Sequence, residues 1–378
     1  MIKVEKSNNY CIIMAGGTGI RFWPMASAEH PKQFIDVMGS GETMLQSTFH
    51  RMERICPREN IIIVSSRNDC ETVHSQIEGL SEYQVLCEPI RRGTAPCIAY
   101  AASVIGERCP DANIIVTPSD HAIFGIEKYV DNIAQAIESA SNHDWIITVG
   151  VKPTNPNTKY GYIQYTEEPS QSGIANLHKV VTFTEKPPLE MARKFIMSGE
   201  FMWNAGILVW RHKILKESFQ RFLPGVASIF FGNQETDQKG IGSRSSYDEI
   251  ERAYSICESI STDIGILEKA ENVHVMEASF GWSDVETWDS LYETCNKDAD
   301  GNVIIGRNVF TYDVHNTVIH LPDTGRTVVL QGLDGYIVAS DGDTLMVCRR
   351  DHEDHIVKYR SDVAFDRLRN ASENDNNK

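Results

Sequence analysis

None of the nine cysteines (positions 11, 56, 70, 87, 97, 109, 257, 295 and 348) belongs to a CxxC pair, and the odd, scattered set suits buried or incidental thiols in a reducing compartment. No cysteine lies beside a base in a nucleophile-like context, and no Ser-His-Asp set stands out, so covalent thiol or serine catalysis is not expected. Positive charge is scarce. Lys and Arg total 36 against 52 Asp and Glu, a net charge of −16, which argues against non-specific binding of nucleic acid or of an anionic membrane. No apolar stretch approaches bilayer-spanning length, and the N-terminal MIKVEKSNNY lacks the apolar core of a signal peptide, so the cytoplasm is the expected compartment. Internal repeats and low-complexity linkers are also missing.

Two common phosphate motifs are absent as well. Gly17-Thr18-Gly19-Ile20-Arg21-Phe22 carries phenylalanine where a dinucleotide fingerprint needs its third glycine, and no Gly-Lys-Ser/Thr follows at P-loop spacing. A dinucleotide-dependent oxidoreductase is therefore disfavoured. What stands in their place is the stretch from Cys11 to Phe34. A buried-strand run, Cys11-Ile12-Ile13-Met14, breaks into Ala15-Gly16-Gly17-Thr18-Gly19, and Arg21 and Pro31-Lys32-Gln33-Phe34 follow. Glycines let successive N–H groups approach an anion, while a forked guanidinium and a mobile ammonium suit a polyphosphate. In an acidic chain such a site must be a local cationic pocket, for which Arg21, Lys32, Arg91, Arg92 and Lys186 are the candidates.

With 378 residues, 41% of them hydrophobic, the chain is long for one core. β-branched runs at 61–64, 114–116 and 145–149 alternate with amphipathic stretches such as 97–108 and 128–141. This predicts an α/β fold, a Rossmann-like sheet flanked by helices with ligands beyond the strands' C-terminal ends. Near residue 296 the pattern changes to short β runs, HIVKY at 355–359 being the last. The expectation is a large domain over 1–295, a small all-β domain over 296–362 and a disordered polar tail over 363–378.

The pattern GGxGxRFWPxS…PKQF resembles the signature of the sugar-1-phosphate nucleotidyltransferase family, and the likeness runs over about residues 8 to 360. The Phe22-Trp23-Pro24 and Lys32-Gln33-Phe34 variants are similar to the branch that transfers guanylyl groups to mannose 1-phosphate. The resemblance implies a nucleotidyltransferase fold, here of a mixed, mostly parallel sheet, with a β-helix-like segment after it. It also implies GTP and mannose 1-phosphate as substrates, Mg²⁺ as cofactor, and a homodimer. Some longer relatives add a phosphomannose isomerase domain, which is not expected in this chain.

Residue by residue, the resemblance places Arg21 and Lys32 on the triphosphate and Lys186 on the sugar phosphate. It assigns Ala15, Gly16, Gly17, Thr18, Gly19, Glu88, Arg92, Thr94 and Ser119 to the nucleotide. Gly161, Glu185 and Asn204 fall to the hexose, and Asp120 and Asp284 to the metal. From the residues alone, each aspartate reads better as a turn or helix cap and Glu185-Lys186 better as an exposed pair ending a strand, while Tyr160-Gly161-Tyr162 reads equally as core packing. Gly93 departs from the family's usual Asn in Glu88–Pro96, which puts base recognition in question. His352 and His355 read as a solvated turn rather than a metal site. Thymidylyl or uridylyl transfer, and a non-catalytic regulatory subunit, remain alternatives.

Overall fold

The computed structural model describes residues 7–169, 173–232, 239–321 and 325–375. They form two compact units. The first comprises residues up to Gly16, Thr48–Ser119 and Ile123–Trp282; the second comprises Gly17–Ser47, Asp120–Ala122 and the chain from Ser283 onward.

In the first unit the strands are β1 (Asn9–Ala15), β2 (Ile61–Ser66), β3 (Val85–Glu88), β4 (Asn113–Pro118), β5 (Ala122–Phe124), β6 (Ile146–Val151), β7 (Tyr162–Pro169), β8 (Leu177–Thr184), β9 (Phe201–Arg211), β10 (Val273–Glu277) and β11 (Gly281–Ser283). β5 and β11 pair as a short ribbon whose end residues Ala122 and Ser283 belong to the second unit; the other nine make one sheet in the order β3-β2-β1-β4-β9-β6-β10-β8-β7. β1, β2, β3 and β4 are mutually parallel, and β9 runs antiparallel between β4 and β6, so all strands except β8 and β9 share one direction. The expected mixed, mostly parallel α/β sheet is what forms. Runs such as Ile61–Val64 are buried throughout, the mark of strands covered on both faces. The stretches 97–108 and 128–141 lie within helices Thr94–Arg108 and Ile126–Asn142. No described helix is long and apolar enough to cross a membrane.

The second unit carries β12 (Val303–Gly306), β13 (Val309–Tyr312), β14 (Val318–Leu321), β15 (Val328–Gln331), β16 (Tyr336–Asp341) and β17 (Thr344–Arg349). β12, β14 and β16 stack in parallel, with Val303, Val318 and Ile337 in one ladder; β13 and β15 stack likewise, a β-helix-like arrangement. This ladder continues into a core with Phe22, Met25, Val37, Val285, Trp288 and Ile356.

Three features differ from the sequence reading. Residues 17–47 group with the C-terminal strands rather than with the sheet, because Phe22 and Trp288, both fully buried, pack ring on ring at 5.1 Å. The run 355–359, read as a strand, enters a helix, Ile356–Asp375, because Ile356 and Tyr359 at i,i+3 turn one face to that core. The helix also takes in residues 363–375, expected to be disordered; 376–378 lie outside the described residues. Third, Cys70 and Cys87 form a disulfide with Cα atoms 6.2 Å apart, where free thiols were expected. Residue 87 belongs to β3 and residue 70 to the helix that follows β2, a proximity that linear spacing hides.

Replacing Phe22 by Ala empties a ring-sized space in the second unit's core. Urea unfolding should read a loss of about 3–5 kcal/mol, and a loss below about 1 kcal/mol would show that the ring does not anchor the glycine-rich segment.

Candidate active site

In the second unit, Gly19 (φ +62°) closes the glycine run by accepting the N–H of Phe22 at 2.9 Å. A Cβ there would fall 2.3 Å from the Cβ of Lys32, so the loop passes this lysine only as glycine. Lys32 is 3% exposed. Its ammonium donates to Asp120 Oδ2 at 2.8 Å, to the Asp284 carbonyl at 3.0 Å and to the Val285 carbonyl at 2.9 Å. A lysine has three protons to give, and all three are taken. A triphosphate oxygen reaching this ammonium would replace one of those acceptors. Val285, buried and β-branched, sits at φ +43°, a conformation costing about 1–3 kcal/mol that persists only where its surroundings impose it.

Desolvation pushes the Asp120 carboxyl up, but the Lys32 charge, His121, and hydrogen bonds from Lys32 and the main chain outweigh it. The group is held below the usual carboxylate value and is ionised at neutral pH. Gly17 lies alongside, its Cβ position 3.8 Å from Asp120 Oδ2, and half-buried Thr18 follows it. Arg21 is exposed and ion-paired with Glu286, an acid the sequence reading did not single out. Among the described residues no group of three or more His, Cys, Asp or Glu is arranged to hold a metal. His352 and His355 are exposed on a 3-10 turn, as expected.

In the first unit, Ala15 ends β1 with its carbonyl accepting Ser65 Oγ at 2.9 Å, and Gly16 follows, its Cβ position 4.0 Å from Glu88 Oε2. Buried Ser119 donates its N–H to the Met14 carbonyl and accepts Thr48 Oγ1. Glu88, at the end of β3, is 5% exposed and accepts Tyr254 Oη at 3.0 Å. Burial raises its pKa to about 7, against the pull of that hydrogen bond and of Arg91. Arg92 points elsewhere: its guanidinium donates to the carbonyls of Tyr254 (3.0 Å) and Ser255 (3.2 Å), in the last turn of helix Tyr247–Ile256. The cation expected for the nucleotide thus satisfies a helix C-terminus. Gly93 has φ +87°, and a Cβ would come within 2.6 Å of the Ile260 carbonyl, so an asparagine would collide with this strap of chain. Thr94 Oγ1 accepts the N–H of Thr262 at 2.9 Å, pinning the same strap.

The hexose candidates also gather in the first unit. Lys186 Nζ lies 3.0 Å from Glu185 Oε1, and Lys186 itself stands at φ +47°. Glu185 Oε2 sits 2.7 Å from where a Gly161 Cβ would be, and the Gly161 carbonyl accepts the N–H of Asn204 at 2.8 Å. Asn204 Nδ2 donates to Asp263 Oδ1 at 2.8 Å. Tyr160 packs between Trp203 and Trp282 (centroids 4.9 and 5.3 Å), while Tyr162 is fully buried, the packing role the sequence left open.

Residues 10–301 match the family model described as nucleotidyl transferase. The chain belongs to the nucleotidyl transferase family. It is 31% identical over 350 residues to a mannose-1-phosphate guanylyltransferase of Escherichia coli, covering 90% of this chain and 72% of that one. To a protein of the same name from Sinorhizobium fredii it is 32% identical over 360 residues, covering 94% and 67%. A crystal structure from Thermus thermophilus, named mannose-1-phosphate geranyltransferase, superposes with TM-score 0.81 at 27% identity over 94% of this chain and 99% of that one.

Within this nucleotidyl transferase, sequence reasoning missed Glu286, Tyr254 and Asp263. Glu286 follows Asp284 by two residues, a signal within reach; Tyr254 sits in an ordinary amphipathic helix. Asp263, in Ser261-Thr262-Asp263 before an apolar run, reads as a helix cap.

The raised Glu88 pKa means that the folded state holds this proton more tightly than the unfolded chain. Stability therefore falls as pH rises from 4.5 to about 7, by about 3 kcal/mol. Glu88→Gln keeps an acceptor for Tyr254 and removes that cost. Its Tm should exceed the wild type's at pH 8 and match it near pH 5; an equal Tm at both pH values would mean Glu88 is not desolvated.

Proposed function

We propose that this protein is a mannose-1-phosphate guanylyltransferase, forming GDP-mannose and pyrophosphate from GTP and α-D-mannose 1-phosphate. The observation that carries the reading is the Lys32 knot, which ties Asp120 to the 284–285 turn beside the glycine-rich loop of a nucleotidyl transferase. The names of the relatives above support the choice of nucleotide and sugar.

In the proposed reaction an oxygen of the sugar phosphate attacks the α-phosphorus of GTP in line. The new P–O bond forms as the bond to the β-phosphate oxygen breaks, and pyrophosphate leaves. The nucleophile is already an anion, so no covalent enzyme intermediate is needed, and the protein's task is positioning and charge stabilisation. Arg21 and Lys186, both exposed cations paired with single carboxylates, can exchange those partners for phosphate oxygens. Glu185 and Asn204 position the hexose. Glu88, ionised in part at neutral pH and desolvated, suits the adjacent N1–H and N2–H donors of guanine, which uracil and thymine lack.

The donor set fits Mg²⁺: the Asp120 carboxylate is ionised, Lys32 fixes it to the Asp284 main chain, and hard oxygens from one or two carboxylates plus phosphates are what this ion takes. Bound by Asp120 and Asp284, Mg²⁺ would neutralise phosphate charge.

The test is pyrophosphate release with GTP, ATP, UTP and dTTP, each with mannose 1-phosphate and glucose 1-phosphate, with and without Mg²⁺. GTP with mannose 1-phosphate should be fastest and should stop on chelation; a faster dTTP or UTP reaction with glucose 1-phosphate would overturn the assignment, and no release with any pair would leave the regulatory-subunit alternative. Gly19→Ala pushes against Lys32 and should lower turnover by roughly 10²–10³-fold; turnover at the wild-type rate would show that the packing of the loop on Lys32 is not needed.

A further inference from the structure

The geometry points to Asp263 as an acceptor for a hexose hydroxyl, with Asn204 as the residue that positions it. The inference rests on the hexose 1-phosphate reading above and revises which side chain meets the sugar. Asn204 Oδ1 accepts from Thr148 Oγ1 at 2.8 Å and from the main-chain N–H of Gly206 at 3.1 Å. An amide oxygen has two lone pairs, so both are engaged within the protein. A backbone N–H can face only the oxygen, and a carboxylate calls for the NH₂, so the amide has a single orientation, with Nδ2 against Asp263 Oδ1 at 2.8 Å. Three of its four hydrogen-bonding positions are thereby spent on protein. Asn204 is built as a bracket.

The bracketed acid is rigidly carried. Asp263 opens a π-helical turn, Asp263–Leu267, a form that recurs at functional sites. The strap before it is fastened at three points: Ile260 N–H to the Arg92 carbonyl (3.0 Å), Ala95 N–H to the Ile260 carbonyl (3.2 Å) and Thr262 N–H to Thr94 Oγ1. Burial, and after it the charge of Glu185, raises the Asp263 pKa to about 6, while a main-chain hydrogen bond, Lys186 and the Asn204 hydrogen bond work the other way. Lys186 is bonded to Glu185, not to Asp263. Two carboxylates that feel each other's charge in a partly desolvated place repel, and folding gains nothing by the arrangement. Neighbouring hydroxyls of a pyranose supply what such a pair lacks, namely several neutral donors a few ångströms apart. A carboxylate accepts about four hydrogen bonds, so Asp263 keeps capacity for a hydroxyl after the Asn204 and main-chain bonds.

The test uses the full chain, with steady-state kinetics of wild type, Asp263→Ala and Asp263→Asn toward mannose 1-phosphate and its 2-, 3-, 4- and 6-deoxy analogues at saturating GTP. Asp263→Asn keeps an acceptor for Asn204 Nδ2, so it serves if the alanine variant melts. The expected result is a 10- to 100-fold rise in KM for the sugar phosphate with KM for GTP within about threefold, the range of a charged hydrogen bond. One deoxy analogue should be penalised in wild type and carry no further penalty in the variant, the non-additivity of a direct contact. If KM for GTP and for the sugar rise together, or every deoxy penalty persists in full, Asp263 only braces Asn204 and the inference is overturned. Failure of the wild type to use mannose 1-phosphate would instead contradict the proposed function, and the same variants would then be compared on the hexose 1-phosphate it does use.

Discussion

A buried ammonium with three acceptors holds the second unit's candidate residues together. Lys32 is all but sealed from water, and an unpaired charge there would cost several kcal/mol. Its partners come from two distant stretches of chain, Asp120 and the carbonyls of residues 284 and 285. Much of the local sequence follows from serving this group. Gly19 has no side chain because Lys32 occupies that space, and Val285 accepts an unfavourable backbone so that its carbonyl faces the charge. Asp120 stays ionised because the lysine is there. Such a knot is costly to break from one side, which makes it a fixed platform rather than an adaptable contact.

The first unit shows the same logic in a different form. Lys186, like Val285, is a non-glycine residue in the left-handed region directly after an acidic residue assigned to the site. Strain of this kind persists where the fold over-determines it, and its recurrence after Glu185 and after Asp284 marks both turns as shaped for something other than stability. Asn204 and Asp263 add a braced acceptor beside Glu185.

Legibility in the sequence followed how local the physics was. The α/β sheet was readable because β-branched runs and amphipathic stretches alternate with periods set by strand and helix geometry, and the glycine loop because its residues are contiguous. Asp120 was readable as an acid at a strand end. The partners were not. The Arg21–Glu286 pair joins residues far apart in sequence, and Arg92 caps a helix end that nothing near it announces. The grouping of residues 17–47 with the C-terminal strands depends on Phe22 meeting Trp288, a contact between two ordinary aromatics until the chain folds. The Cys70–Cys87 bridge and the helix over 356–375 were hidden for a related reason: one needs a strand pairing, the other a core to pack on. Asp263 was masked by its neighbours, which imitate a helix cap.

If the buried ion pair is what turnover needs, Lys32 and Asp120 act as one unit, and a double-mutant cycle on kcat with Lys32→Ala, Asp120→Asn and the pair decides it. Each single change should lower kcat by roughly 10²–10³-fold, and the double variant should be hardly worse than either. Losses that multiply in the double variant, or a single variant turning over at the wild-type rate, would contradict it.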